Sequence, residues 1–334
     1  MRTKVFVVLA VLLTTPCLAK IKVQEYTMPA VQGFPYMTAV SGDWILALLN
    51  AREGDATSAI GVIAYDCKAK KVYTVHKHKV AWPAITGTVA IWSGKSDDVD
   101  CLRGTKGKYG QYVGLVLYDL ANDRFWSPTL GSVTAYAISA SGNYVVYEAS
   151  GRVYLYNIAT GEQKRVSGGD PDCRYPDITG DLIIWRQLNK AENTSRICGY
   201  RISTGESISV IDDYEFRTTA CTDGEYVIWA NNSGVHCYNV QTQSTRFIKS
   251  ACFPDVGDGF VVYTKQICAC TKEQKASKRI VFGMDLRTGE EFQISKDATN
   301  RSPYITGDRV AWPEGSVLHY ADLERVSELK VFKK

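Results

Sequence analysis

The sequence lacks several features that would fix a function at once. Its longest apolar run, Val5 to Leu13, is well short of the about 20 residues that a helix needs to cross a bilayer. Its 39 Lys and Arg residues are interspersed with 35 Asp and Glu residues, so they form no basic stripe of the kind that binds phosphate backbones. We therefore predict neither a membrane span nor a nucleic-acid partner.

Reactive motifs are also scarce. The chain has four histidines, and it contains no nucleophile elbow, no ordered Ser-His-Asp set and no glycine loop that could cradle phosphate. The close pair Cys268-Ala-Cys270 does not fit a zinc site, which usually leaves about two to four residues between paired cysteines. We predict no catalytic residues, no metal and no cofactor.

The first residues have the pattern of a secretory signal. Arg2 and Lys4 precede the apolar run, and Cys17-Leu18-Ala19 offers a small-residue cleavage site. We predict a signal peptide over residues 1–19 and a protein that is secreted, periplasmic or at the cell surface. Cleavage would remove two positive charges and no acid, so the net charge would fall from +4 to roughly +2.

Nine of the ten cysteines would remain after cleavage, and an exported protein can keep them as disulfides. The odd number leaves at least one thiol free or paired with another molecule. Five cysteines fall on or beside one predicted loop face. The possible pairs are Cys101 with Cys173, and Cys252 with Cys268 or Cys270.

One sequence motif recurs along the chain, and its clearest copy is Pro176 to Val210. A short apolar run enters a Thr-Gly-Asp turn, a β-rich run ends at Trp185, and a polar loop leads to two more runs joined by Ser-Thr-Gly-Glu. The motif occurs seven times. Its turn glycines are Gly42, Gly87, Gly142, Gly180, Gly224, Gly257 and Gly307.

These repeats predict an all-β fold, a seven-bladed β-propeller of four-stranded antiparallel blades over residues 36–334. Each second run is rich in β-branched and aromatic residues, which suit a strand buried on both faces. One such sheet cannot cover its own faces, so neighbouring blades must stack around a ring. The aromatics that end the second runs are predicted to pack between blades.

Ring closure requires a partner for the last repeat. Residues 20–35 are predicted to hold a closing strand, IKVQEYTM, and a linker, whereas the C-terminal SELKVFK competes for the same outer position. The sequence leaves that choice open.

The motifs resemble TolB-like β-propeller repeats. The segments that carry the resemblance are PAITGTVAIW, PDITGDLIIW and PYITGDRVAW, followed by LYDL, LYNIATGE and MDLRTGEE. The resemblance covers about residues 36–323. It implies a fold that serves as a protein-binding scaffold, as a non-catalytic module beside enzymes, or in some polysaccharide lyases and hydrolases. TolB carries an additional N-terminal α/β domain, for which residues 21–35 are too few.

Propellers hold ligands at the axis, where the first runs converge. The residues compared there are Ala39, Ala84, Ala137, Asp177, Ala220, Asp255 and Tyr304. The small ones leave room into which the two acids and the tyrosine could project. The acids could instead serve the backbone N–H groups of their own blades.

The loop face adds aromatic residues to these, so the binding candidates are Trp82, Tyr175, Asp177, Phe253, Asp255 and Tyr304. We expect a monomer that binds a protein or glycan partner through the loop face without catalysis. The alternative is a carbohydrate-active enzyme, a polysaccharide lyase or glycoside hydrolase, with its site at the axis. A lyase would require His, Tyr and Arg side chains that converge there.

Overall fold

A computed structural model describes residues 19–29, 31–52, 59–77, 80–94, 114–128, 135–169, 172–189, 194–213, 219–266, 279–296, 299 and 302–327. These residues form 28 strands in seven antiparallel sheets of four. The predicted all-β, seven-bladed propeller is therefore confirmed. In the described parts of the chain, no helix is long and apolar enough to pass through a bilayer.

Each of the first six blades uses four consecutive strands, from the axis outward. Blade 1 contains β2 (Phe34–Ser41), β3 (Trp44–Asn50), β4 (Ala59–Asp66) and β5 (Lys71–His76). Blade 2 contains β6 (Ala81–Thr86), β7 (Val89–Gly94), β8 (Gly114–Asp119) and β9 (Arg124–Trp126). Blade 3 contains β10 (Tyr136–Ser141), β11 (Tyr144–Ala149), β12 (Arg152–Asn157) and β13 (Gln163–Arg165).

The next three blades repeat this order. Blade 4 contains β14 (Cys173–Thr179), β15 (Leu182–Asn189), β16 (Thr194–Arg201) and β17 (Glu206–Asp213). Blade 5 contains β18 (Cys221–Thr222), β19 (Tyr226–Ala230), β20 (Gly234–Asn239) and β21 (Thr245–Lys249). Blade 6 contains β22 (Ala251–Gly257), β23 (Phe260–Gln266), β24 (Arg279–Asp285) and β25 (Glu291–Gln293).

Blade 7 combines the two ends of the chain. Its inner strands are β26 (Tyr304–Thr306), β27 (Arg309–Glu314) and β28 (Val317–Ser327), and its outermost strand is β1 (Ala19–Thr27). The antiparallel register runs from Ala19 opposite Ser327 to Thr27 opposite His319. The N-terminal strand therefore closes the ring, and the residues after Ser327 lie outside the described part.

The hydrophobic core is divided among the contacts between blades. Seven clusters of buried residues occur among the described residues, one between each pair of neighbouring blades. In β3, Leu46 and Leu48 pack toward blade 2, whereas Ile45, Ala47 and Leu49 pack toward blade 7. An uninterrupted apolar second strand thus supplies two interfaces at once.

The predicted packing role of the second-strand aromatics is also observed. Trp92, Tyr147, Tyr263 and Trp312 are almost fully buried. Several of them stack on a ring from the neighbouring strand or blade, and these partners include three of the four histidines. The pairs are Trp92 with His76 at 5.6 Å, Trp229 with His236 at 5.1 Å and Trp312 with His319 at 5.7 Å.

A belt of hydrogen bonds joins neighbouring blades at the turns between first and second strands. In five blades, the residue that ends the first strand or starts its turn is Ser, Thr or Asp, and its side chain bonds the backbone of the next blade. The bonds are Ser41 with Gly87 N, Thr86 with Gly142 O, Ser141 with Gly180 N, Thr179 with Thr222 O, and Asp223 with Gly259 N, at 2.8–3.1 Å.

The belt takes a different form on either side of blade 7. Gly257 has no side chain, and a Cβ there would lie 3.0 Å from the Gly307 carbonyl oxygen, so the two backbones meet directly. Across the next interface, Arg309 donates to the Gly42 carbonyl at 2.7 Å while Asp322 holds its guanidinium at 2.6 Å. The Asp322 carboxylate is the largest cause of the raised pKa of Arg309.

We expect Tyr26→Ala in β1 to reduce the free energy of unfolding by about 2 kcal/mol, because the ring of Tyr26 stacks on Tyr320 at 4.8 Å. Lys22→Ala in the same strand removes only an exposed ion pair with Glu324, and should cost less than about 1 kcal/mol. Denaturant unfolding monitored by tryptophan fluorescence measures both variants. Equal effects would show that β1 does not stabilise the ring through Tyr26.

Candidate functional site

The first strands of all seven blades surround a central cavity of about 370 Å³. We define the loop face as the face at which second strands end and first strands begin. The cavity extends from Trp82 and Tyr175 at its loop-face end to Ser41, Ser141 and Thr306 at the turns. A cavity of this size holds a small molecule or one large side chain.

The strand register defines which residues share one level around the axis. In six blades this level is the residue opposite the one before the closing aromatic, as Asp177 is opposite Ile184, which precedes Trp185. In blade 1, Ala47 takes the place of the aromatic, and Ala39 is opposite Leu46. The residues at this level, in blade order, are Ala39, Ala84, Ser139, Asp177, Cys221, Asp255 and Tyr304.

This register corrects two of the equivalences expected from the sequence. Ala137 and Ala220 do not share a level with Asp177, because a bulge follows Tyr136 and the short strand β18 begins at Cys221. Ser139 and Cys221 take their places. Both lie three residues before a turn glycine, Gly142 and Gly224, as Asp177 lies three before Gly180. That spacing was a usable signal in the sequence.

In blade 6 the spacing of three residues is counted to a turn residue other than Gly257. Gly257 pairs with Phe260, so the turn residues are Asp258 and Gly259 rather than Gly257. Asp258 has the left-handed φ of +46° that glycine has in the other turns. Asp255 lies three residues before it, which restores the common spacing.

Asp177 connects three blades. Its carboxylate accepts a hydrogen bond of 2.6 Å from the Ser139 hydroxyl of blade 3 and one of 2.8 Å from the Thr222 N–H of blade 5. Asp255 accepts 3.0 Å and 2.8 Å bonds from the N–H groups of Val256 and of Ile305 in blade 7. The acids therefore bond mainly across blades, rather than only within their own blades as the simpler interpretation of the sequence had it.

Burial controls the ionisation of these acids. Each side chain is half-buried, because the cavity leaves part of its surface exposed. Protein atoms nevertheless surround the carboxyl group closely enough to remove most of its hydration. Burial raises the pKa of Asp255 to about 7, and the Asp177 carboxylate adds to the rise. Burial likewise raises the pKa of Asp177, which the Ser139 hydroxyl and two backbone N–H groups oppose.

The thiol of Cys221 lies between these acids. Burial raises its pKa well above the ordinary value, and both carboxylates act in the same direction. The thiol is therefore protonated at neutral pH and is a weak hydrogen-bond donor rather than a nucleophile. The polar side of the level thus runs without interruption from Ser139 in blade 3 to Tyr304 in blade 7.

Three aromatic candidates occupy equivalent bulge positions two residues before this level. Trp82, Tyr175 and Phe253 have φ values of +55°, +53° and +53°, and Ala137 has +45° in blade 3. Positive φ is costly for bulky residues and sets where their side chains project. Because blade 3 supplies only alanine, Trp82 and Tyr175 approach each other past it, with ring centroids 6.5 Å apart.

The six binding candidates separate into two groups. Trp82, Tyr175, Asp177, Asp255 and Tyr304 all line the cavity. Phe253 is not among the described lining residues; its ring instead packs under the Arg279 guanidinium at 5.0 Å.

Two arginines lie beside Tyr175. Arg174 forms an ion pair of 3.5 Å with Asp172, and its guanidinium opposes the burial that raises the pKa of Glu148 in blade 3. Arg186 lies opposite Arg174 in the register, and burial lowers its pKa. Neither arginine is among the described residues that line the cavity.

The disulfide candidates fall largely outside the described residues, as Cys101, Cys268 and Cys270 do. Cys173 is buried in β14. The Cys252 thiol lies 3.2 Å from the Thr264 hydroxyl. The pairings therefore stay predictions. His78 is also outside the described residues, within which no group of three or more His, Cys, Asp or Glu side chains is placed to hold a metal ion.

No family model matches the chain, and no curated protein matches it in sequence. Solved structures resemble it instead. An oligogalacturonate lyase in complex with manganese is 10% identical, with 92% of this chain and 98% of that chain covered and a TM-score of 0.56. The propeller domain of the trilobed protease from Pyrococcus furiosus is 12% identical over 75% and 84%, with a TM-score of 0.51.

TolB from Acinetobacter baumannii is 10% identical over 92% of this chain and 81% of that chain, with a TM-score of 0.47. The likeness to the lyase and to the trilobed-protease domain supports the predicted propeller fold. Similarity at these identities shows the fold alone, because propellers of one architecture serve unrelated functions.

We expect the contribution of Asp255 to the free energy of unfolding to fall as the pH rises from 3.8 to about 7. The folded pKa of Asp255 lies above its ordinary value of 3.8, so the folded protein keeps a proton that the unfolded chain releases in this range. Asp255→Asn should flatten this dependence, which thermal unfolding at several pH values measures. Asp308→Asn, at an exposed turn acid, is the control and should follow the wild type. An undiminished slope in Asp255→Asn would contradict the assignment.

Proposed function

We propose that this protein is an exported, non-catalytic binding propeller that receives a protein or glycan partner on its loop face. One observation carries the proposal: a central cavity, lined by all seven blades, has two aromatic rings at its loop-face end and polar groups in its interior. The partner would place one protruding group into the cavity while its remainder contacts the surrounding loops.

The described polar groups support binding more than turnover. His76, His236 and His319 stack on second-strand tryptophans, and none of them lines the cavity. Burial and both carboxylates keep the Cys221 thiol protonated at neutral pH. The acids are fixed by backbone N–H groups of neighbouring blades, which gives a preorganised surface that loses little entropy on binding.

Export rests on the predicted signal over residues 1–19. Strand β1 begins at Ala19, next to the expected cleavage site, so cleavage there would leave the closing strand near the new N-terminus. We propose that the ring closes after or during export, and that the mature protein acts outside the cytoplasm.

A carbohydrate-active enzyme is the second candidate, and one observation favours it. Asp255 has a pKa of about 7 beside a second carboxyl group, which would suit an acid or base in glycoside cleavage. Incubation with a panel of polysaccharides tests this directly, by reducing-end release and by the ultraviolet absorbance of unsaturated uronates. Turnover that is lost in Asp255→Asn and kept in Asp308→Asn would favour the enzyme over the binding module.

We expect Trp82→Ala to weaken partner binding at least about tenfold, because an aromatic anchor at the centre of an interface commonly carries this much binding energy. The probes are an immobilised glycan array and a displayed peptide library, each screened with the labelled full-length protein. Every ligand found is then titrated against Trp82→Ala and Tyr175→Ala.

Phe247→Ala is the matched control, since this ring is 46% exposed on the outer strand β21, far from the axis in the blade order. It should bind as the wild type does. Ligands that bind all three variants equally would place the interface elsewhere on the propeller. Absence of binding in both screens would argue for a purely structural role.

A further inference from the structure

The charge of the central cavity is one-sided. Asp177 and Asp255 are the charged side chains among its described lining residues, and no described Lys, Arg or His lines it. Two cations lie beside Tyr175 without lining the cavity: Arg174, which is paired with Asp172, and Arg186, whose pKa is lowered by burial. A cavity that concentrates two carboxyl groups without a counter-charge favours a cationic ligand.

The orientation of the carboxylates agrees with such a ligand. The bonds from Ser139 and Thr222 to Asp177, and those from Val256 and Ile305 to Asp255, hold both groups in place. The Ile178 N–H is a third donor to Asp177, and the Cys221 thiol is a third donor to Asp255. Because a carboxylate accepts about four hydrogen bonds, each group keeps capacity for about one donor that enters the cavity.

The aromatic rings are a separate feature that favours the same class of ligand. The rings of Trp82 and Tyr175 are inclined at 55° and form a notch at the loop-face end of the cavity. Aromatic faces attract ammonium and guanidinium groups through the ring quadrupole, most strongly where water is excluded. Rings together with carboxylates are a cation-binding combination, whereas an anion would be repelled by both.

The two sides of the cavity differ in polarity in a way that suits an alkyl cation. Blades 1 and 2 contribute Ala39 and Ala84 at the level where blades 4 and 6 contribute the acids. The alanines leave space and apolar contact for a methylene chain. A ligand whose methylene chain packs on the alanines would bring its charged end to the acids across the cavity.

We propose that the central cavity binds an organic cation, namely an alkylammonium or alkylguanidinium group. The group belongs either to a free small amine or to a Lys or Arg side chain of a partner. This proposal rests on the proposed binding function, for which it names the chemistry of the inserted group.

The test compares four ligands that share one butyl chain: butylammonium, butylguanidinium, butanol and butyrate. Binding to the full-length wild-type protein is measured by ligand-observed NMR and calorimetry. We expect both cations to bind at least about tenfold more tightly than butanol, and butyrate not to bind. Equal binding of butanol and butylammonium, or preferential binding of butyrate, would overturn the proposal without any variant.

Variants then locate the site. Binding is measured at about pH 8, above the pKa of about 7 of Asp255. Asp177→Asn and Asp255→Asn each replace an ionisable carboxyl group with a neutral amide and should weaken cation binding at least about tenfold. Asp308→Asn is the control, and circular dichroism checks that each variant is folded. Undiminished binding in both folded Asn variants would overturn the assignment to the central cavity. If either variant fails to fold, Trp82→Ala takes its place with the same expected loss.

The source of the cation is resolved by a pair of capped pentapeptides with Lys or norleucine at the centre. A Lys peptide that binds more tightly than butylammonium identifies a partner side chain, and the reverse order identifies a free amine. If a ligand from the glycan or peptide screens requires Trp82 but neither acid, and butylguanidinium does not displace it, the binding function stands and the cation proposal fails. If the cations bind and both screens are empty, the cation proposal stands and the proposed protein or glycan partner is wrong.

Discussion

A four-stranded sheet with two apolar faces must be covered on both sides, and this constraint determines the whole molecule. Leu46 and Ile45 are neighbours in β3, yet each belongs to a different interface. No blade is stable without two neighbours, so the last interface is as necessary as the other six. The pairing of β1 with β28, reinforced by Arg309 on one side of blade 7, supplies it.

The same arrangement explains why the candidate site lies at the axis. Only the first strands converge, and their polar groups must satisfy neighbouring backbones as well as any ligand. Asp177 satisfies the backbone N–H of Thr222 in blade 5 and also accepts a bond from the Ser139 hydroxyl of blade 3. Seven blades of similar shape nevertheless give an asymmetric cavity, because alanine occupies the equivalent level in blades 1 and 2. At this level the asymmetry comes from the side chains.

The sequence predicted the architecture well, because repeats, turn glycines and closing aromatics are local signals of a periodic structure. Five of the six binding candidates line the cavity, since the first run of each repeat could be aligned approximately. The alignment failed at Ser139 and Cys221, because bulges and short first strands change the spacing from the start of a repeat and leave the spacing to the turn unchanged. Choosing the closing strand required pairing between the chain's two ends, which no local pattern encodes.

The joining of distant chain segments in blade 7 also bears on how the protein is made. Lys22 and Glu324 form an ion pair although 302 residues separate them in sequence. During synthesis, β1 emerges first of the 28 described strands and its partner β28 emerges last of them, so an unpaired strand edge persists while six blades assemble. Folding of this kind is slow and open to intermolecular strand pairing. The edge of β1 is therefore open to incorrect pairing until β28 has been made.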